Sequence, residues 1–229
     1  MALLRKFWAT DRSLTILLLL LGVGIFVIHP LGDIDVAGRL LTSLFFSLIL
    51  ISGVAAVAKH ARTTVFVGSV VLISLVLRWL RLWLGGGSLA TSDALSSSLF
   101  CVILAAVVLA QVFREGPITW HRIQGAVAVY LLLGLAWAFA YELVALQWPN
   151  AFAPPPSSVA PQDGLTSHFV YFSFVTLTTV GYGDITAVHP VARSLVTIEA
   201  LIGQLFPAIL IARLVSMELY YRHSKDSGR

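Results

Sequence analysis

The stretch Thr178-Thr179-Val180-Gly181-Tyr182-Gly183-Asp184 decides how the rest of the chain is read, because it is a glycine-punctuated loop set between two long apolar runs. Its chemistry lies in the backbone. The carbonyls of Thr179, Val180, Gly181 and Tyr182, with the Thr179 hydroxyl, are oxygens in a row that can replace the hydration shell of a cation. Carbonyls that all point one way need backbone angles that a Cβ resists, so Gly181 and Gly183 fall where φ is expected to be positive. Val180 and Tyr182 are then expected to face away and anchor the loop. A soluble Gly-Tyr-Gly turn is the alternative, and the apolar flanks argue against it.

Over residues 123–221 the chain resembles the pore-loop potassium channel superfamily, and more loosely its small bacterial six-span members without sensor arginines or a cytoplasmic ligand domain. The resemblance rests on Thr-Val-Gly-Tyr-Gly, whose chemistry is recognised from that family rather than deduced anew. It implies a selectivity filter made by Thr179, Val180, Gly181, Tyr182 and Gly183, with K+ as the permeant ion at Thr179, Val180, Gly181 and Tyr182. It also implies support from Thr178, Asp184, Tyr171 and Phe172, and an inner-helix gating hinge at Gly203 and Pro207. Close packing is the other reading of Gly203. Phe172 has no donor for Tyr182, and Val175 stands where some relatives carry a buried acid. The chain holds one such loop, and a ring of carbonyls needs four. A fourfold homotetramer follows, and transporters with four loops in one chain are excluded.

Composition agrees with a membrane reading. The 229 residues are 58% hydrophobic and 11% charged with mean hydropathy +0.90, well outside the soluble range. The net charge of +4 sits at span ends rather than in one patch, which points to topology and not to nucleic-acid binding. Cys101 alone excludes an intrachain disulfide or a cysteine metal cluster. No nucleophile-base pair, phosphate loop or metal cluster is evident, so no enzyme and no cofactor are expected.

Taken in order, residues 1–12 read as a cytoplasmic N-terminus carrying Arg5, Lys6 and Arg12. Residues 13–114 read as a four-helix, voltage-sensor-like domain without gating charges, its spans at 14–28, 40–58, 64–84 and 95–113. Between them fall an external loop at 31–38 and a flexible glycine turn at 85–88. Residues 115–122 are a linker too short for a long coupling helix, so each peripheral domain is expected beside its own subunit's pore. Residues 123–218 form the pore domain: a fifth span to Leu146, a proline-rich turret at 150–162, a pore helix, the filter and a sixth span. Thr166 or Ser167 is expected to cap the pore helix, which is too brief to cross and must return as the filter. Residues 219–229 are a cytoplasmic tail with no room for a soluble ligand domain, which places both termini inside a multi-pass protein of the cell membrane.

A voltage sensor needs several charges crossing the field. The run 95–113 contains no Arg or Lys. Arg78 and Arg81 lie about 21 and 26 Å along a core of about 30 Å, so both are expected to snorkel to the outer headgroups. Glu199, an acid inside the last span, is expected either in the cavity or behind the filter against the pore helix, where it would couple conduction to pH; a structural hydrogen bond is a third reading. The expectation is therefore an all-helical, tetrameric potassium channel in a lipid bilayer with little steep voltage dependence. The alternatives are a non-conducting modulatory subunit and a weakly selective cation channel.

Overall fold

The computed structural model describes residues 14–32, 36–57, 61–84, 86–114, 119–155 and 165–226. Long apolar runs in lipid must pair their own N–H and C=O groups, and they do so as helices. These are α1 (Leu14–Ile28), α2 (Val36–Val57), α3 (Ala61–Leu84), α4 (Gly87–Val112), α5 (Trp120–Gln147), α6 (Leu165–Leu177) and α7 (Pro190–Asp226). The last turns of α1, Gly24–Ile28, are π-helical, and one further helical turn, His29–Gly32, follows. Two short strands, β1 (Phe152–Ala153) and β2 (Thr186–Ala187), pair antiparallel with Phe152 opposite Ala187.

The molecule is a helical membrane protein with α2, α3, α4, α5 and α7 long and apolar enough to cross. The described part of α1, with about 22 Å of rise before the further turn His29–Gly32, is not among the helices of crossing length found in the described residues. A sixth crossing is thus not established by length.

Helix boundaries correct the sequence reading in four places. The helix α4 begins at Gly87, so Gly87 and Ser88 are helical rather than part of a flexible turn, and Gly86 supplies the left-handed break with φ 104°. Polar residues enter this helix because their hydroxyls bond back to its carbonyls: Thr91 to Gly87 at 3.0 Å, Ser92 to Ser88 at 3.0 Å and Ser96 to Asp93 at 3.0 Å. The helix α2 begins at Val36, inside the expected loop, and α5 at Trp120, inside the expected linker. The helix α7 continues to Asp226, through the first part of the expected tail. The N-terminal twelve residues, the first half of the linker and most of the turret lie outside the described residues.

Of the five long helices α5 is the most enclosed. Its Leu132, Leu135, Ala138, Phe139 and Tyr141 are fully buried. The Ser98 hydroxyl of α4 donates to the Ala136 carbonyl of α5 at 3.1 Å, which ties these two helices of the same chain together. Glycine sets the closest approaches. A Cβ at Gly134 would meet the Phe174 ring at 2.5 Å, and one at Gly203 would meet the Leu177 carbonyl oxygen at 1.9 Å, whereas nothing lies within 4 Å of one at Gly68.

Gly134→Ala is expected to lower the stability of the purified protein by about 1–3 kcal/mol through overpacking. Gly203→Ala is expected to cost more, because backbone cannot swing aside as a ring can, and Gly68→Ala should be near neutral. Denaturant unfolding in detergent would measure all three, and equal effects would contradict this packing.

Candidate ion pathway

The helix α6 has 13 residues, about 20 Å, and cannot cross a membrane. It is held by hydroxyls along its length. Thr166 donates to Glu142 Oε2 at 2.6 Å, Ser167 to the His29 carbonyl at 2.6 Å and Tyr130 to the Leu177 carbonyl at 3.1 Å. Ser173 Oγ lies 2.7 Å from the Gly134 carbonyl and 2.5 Å from Glu199 Oε1. Thr166 and Ser167 therefore do not cap the helix as expected. They lie inside its first turn and tie it to α5 and to the end of α1.

The chain leaves α6 through a compact turn. Thr178 and Thr179 donate their N–H groups to Phe174 and Thr176 at 3.0 and 2.9 Å, and Val180 and Gly181 both donate to Val175 at 3.0 and 3.2 Å. Thr178 Oγ1 adds a bond to the Phe174 carbonyl at 2.6 Å. Gly181 and Gly183 have φ of 55° and 80°, as their neighbours required. Thr179 also has positive φ, 59°, which nothing in its side chain announced. Residues 178–184, Val180 and Tyr182 among them, are exposed in the single chain.

At the outer end Tyr171 donates to Asp184 Oδ2 at 2.7 Å and the Ile185 N–H to Oδ1 at 3.0 Å. The Tyr171 hydrogen bond, foremost, holds this carboxyl below the usual aspartate range. Phe172 is buried against Tyr141 and Phe152, with ring centroids 5.1 and 5.6 Å away. The strand pair joins the two chain segments beside this cluster, Trp148 stacks on His189 at 4.7 Å, and Thr186 donates to the Ala153 carbonyl at 3.2 Å.

On α7, Glu199 is fully buried behind α6 rather than in a cavity, and the Tyr141 hydroxyl donates to its Oε2. Gly203 packs on the end of α6, and Pro207 lies inside a helix that continues through it, beside Phe206, which stacks on Tyr130 at 6.0 Å. Sequence reasoning missed Tyr141 and Ser173 as partners of Glu199. An acid in an apolar span needs donors, and the nearest buried hydroxyls on facing helices were the signal.

The peripheral arginines do not snorkel. Arg78 is buried, with Nε and Nη2 each 3.3 Å from the Asp93 carboxylate and its guanidinium 4.1 Å from the Phe46 ring centroid. Arg81 bridges Asp93 at 3.2 Å and Glu142 at 2.9 Å. The physical reason is the longer α4, which carries Asp93 to the level of both arginines. Neither acid was weighed from sequence, although a charge inside a span calls for a partner.

The model of an ion-channel family matches residues 125–219, which take in most of α5, all of α6, the loop of residues 178–184 and α7 to Leu219. This supports an ion channel of the pore-loop type. The chain is similar to the protein LctB of Bacillus caldotenax, 34% identical over 87 residues that cover 38% of this chain and 64% of that protein. Its similarity to LctB of Geobacillus stearothermophilus is 35% over 82 residues, 35% of this chain and 60% of that protein. The chain thus spans less than two thirds of the length of the curated relatives it matches. No solved structure matches it significantly.

Asp93→Ala should strand the buried Arg78 guanidinium, while Arg81 keeps Glu142, and cost about 3–5 kcal/mol, with the Arg78→Met/Asp93→Ala pair recovering part of the loss in a denaturant series. At the mouth, the folded-state pKa of Asp184 is depressed, so any stability it lends is complete above the range of a free aspartate and fades as pH falls through its lowered midpoint. Tyr171→Phe is expected to move that midpoint upward in a carbon-13 carboxylate titration; an unchanged midpoint would show that the hydroxyl does not set it.

Proposed function

We propose that the protein is a potassium-selective channel that passes K+ down its gradient through a filter of Thr179, Val180, Gly181, Tyr182 and Gly183. The observation that carries this reading is the loop itself. A helix too short to cross, set between α5 and α7, returns through a backbone turned left-handed at Gly181 and Gly183. The same residues lie exposed in one chain, as does the apolar α7 face at Ile198, Leu201, Leu205 and Ile209, which fits a fourfold homotetramer around the loop.

In this reading Thr178 and Asp184 support the filter, Tyr171 orients Asp184, and Phe172 wedges α6 against α5. Gly203 and Pro207 are the bend of the inner helix, with Gly203 also its contact with α6. Residues 13–114 form the voltage-sensor-like domain and 123–218 the pore, in a cell membrane with both termini cytoplasmic. Steep voltage dependence is not proposed, because Arg78 and Arg81 are engaged by Asp93 and Glu142 and α4 carries no basic residue.

Liposomes holding only the purified protein are expected to release K+ and not Na+, with release abolished by Gly181→Ala. Equal K+ and Na+ release would favour a weakly selective pore, and no release would favour the modulatory-subunit alternative.

A further inference from the structure

The hydrogens around Glu199 do not balance if its carboxylate is ionised. Ser173 Oγ lies within bonding distance of the Gly134 carbonyl, 2.7 Å, and of Glu199 Oε1, 2.5 Å. A serine hydroxyl has one hydrogen, and a carbonyl can only accept, as can every oxygen of an ionised carboxylate. Tyr141 uses its own hydrogen on the other carboxyl oxygen, Oε2. One more proton is needed between Oε1 and Ser173.

No compensating charge faces this group among the described residues. From α5 come Tyr141, already counted, and Tyr130, whose hydroxyl donates to the Leu177 carbonyl. Glu142 is next to Tyr141 in sequence but points to Arg81 and Thr166. From α6 come Ser173 and Thr176, which do not titrate, while Tyr171 is engaged at the mouth by Asp184. On α7 itself Arg193 is exposed and donates to the Ala187 carbonyl. A fully buried carboxylate with no cation is costly in this setting.

We propose that Glu199 is a neutral carboxylic acid that donates from Oε1 to Ser173, which passes its own hydrogen to the Gly134 carbonyl, so that one proton pins α6 to both α5 and α7 behind the filter. Glu199 is thus a positioning residue. Removal of that proton at alkaline pH forces Ser173 to turn from Gly134 to the carboxylate, and α6 loses its bond to α5 at the point where Gly134 and Phe174 touch. The consequence for flux rests on the channel reading; the protonation state does not.

Infrared difference spectroscopy on the wild type and Glu199→Gln in liposomes tests it. A protonated-carboxyl band at neutral pH is expected in the wild type, absent from the variant and lost on alkalinisation. A wild-type sample labelled with carbon-13 glutamate carries the same readout should the variant fail to fold, because the band must then shift with the label. No such band at neutral pH would overturn the proposal. In parallel flux measurements, the wild type is expected to lose K+ release from neutral to alkaline pH while Glu199→Gln keeps the ratio near one. The same fall in both would overturn the switch. Absent flux in both with the band difference intact would sink the channel reading and leave the neutral acid standing.

Discussion

Hydrocarbon offers no partner to a backbone N–H or C=O, so an irregular loop can exist at membrane depth only where protein or enclosed water covers it. The rest of the architecture answers to that constraint. The loop of residues 178–184 turns back on α6, with the N–H groups of residues 178–181 returned to carbonyls of residues 174–176. The helix α6 in turn is fixed at intervals by hydroxyls, from Thr166 and Ser167 at its start through Ser173 to the Tyr130 contact at its end. In the single chain residues 178–184 and the apolar side of α7 remain exposed.

Much of this was legible in the chain because it depends on local rules. Long apolar runs gave the helices, and paired glycines gave the left-handed turns. Helix starts were less legible. Thr91 and Ser92 look like loop residues, yet their hydroxyls bond back to the carbonyls of Gly87 and Ser88 within the helix. The turret prolines suggested a stiff excursion, yet Phe152 just before them is a buried member of an aromatic cluster with Tyr141, Phe169 and Phe172. That contact joins residues far apart in sequence, and no period or propensity encodes it.

The charged residues show the same limit from the other side. Counting arginines along a span says how deep they lie but not what meets them. Arg78 and Arg81 were placed by depth alone, whereas the deciding quantity was the position of Asp93 on one neighbouring helix and Glu142 on the other. The resulting cluster is neutral as a whole, two guanidinium groups against two carboxylates. Glu142 also accepts from Thr166, which makes the ion cluster of the peripheral helices continuous with the mounting of α6. Charges that sit mutually neutralised are poorly placed to carry net charge through a field, and well placed to fix how α3 and α4 sit on α5.

The two-residue pairing of β1 with β2 has a topological consequence. Ala153 and Thr186 are 33 residues apart, and their contact closes the intervening chain into a ring with a narrow neck. The helix α6 and the loop of residues 178–184 lie wholly within that ring, and its two ends leave the neck toward α5 and α7. The excursion is therefore a cassette. Its closure entropy is met once, at the neck, and rises only slowly with the length of chain inside. Grafting between relatives should cut outside this neck, since a junction inside it would keep the sequence of the loop while discarding the clasp that gives it shape.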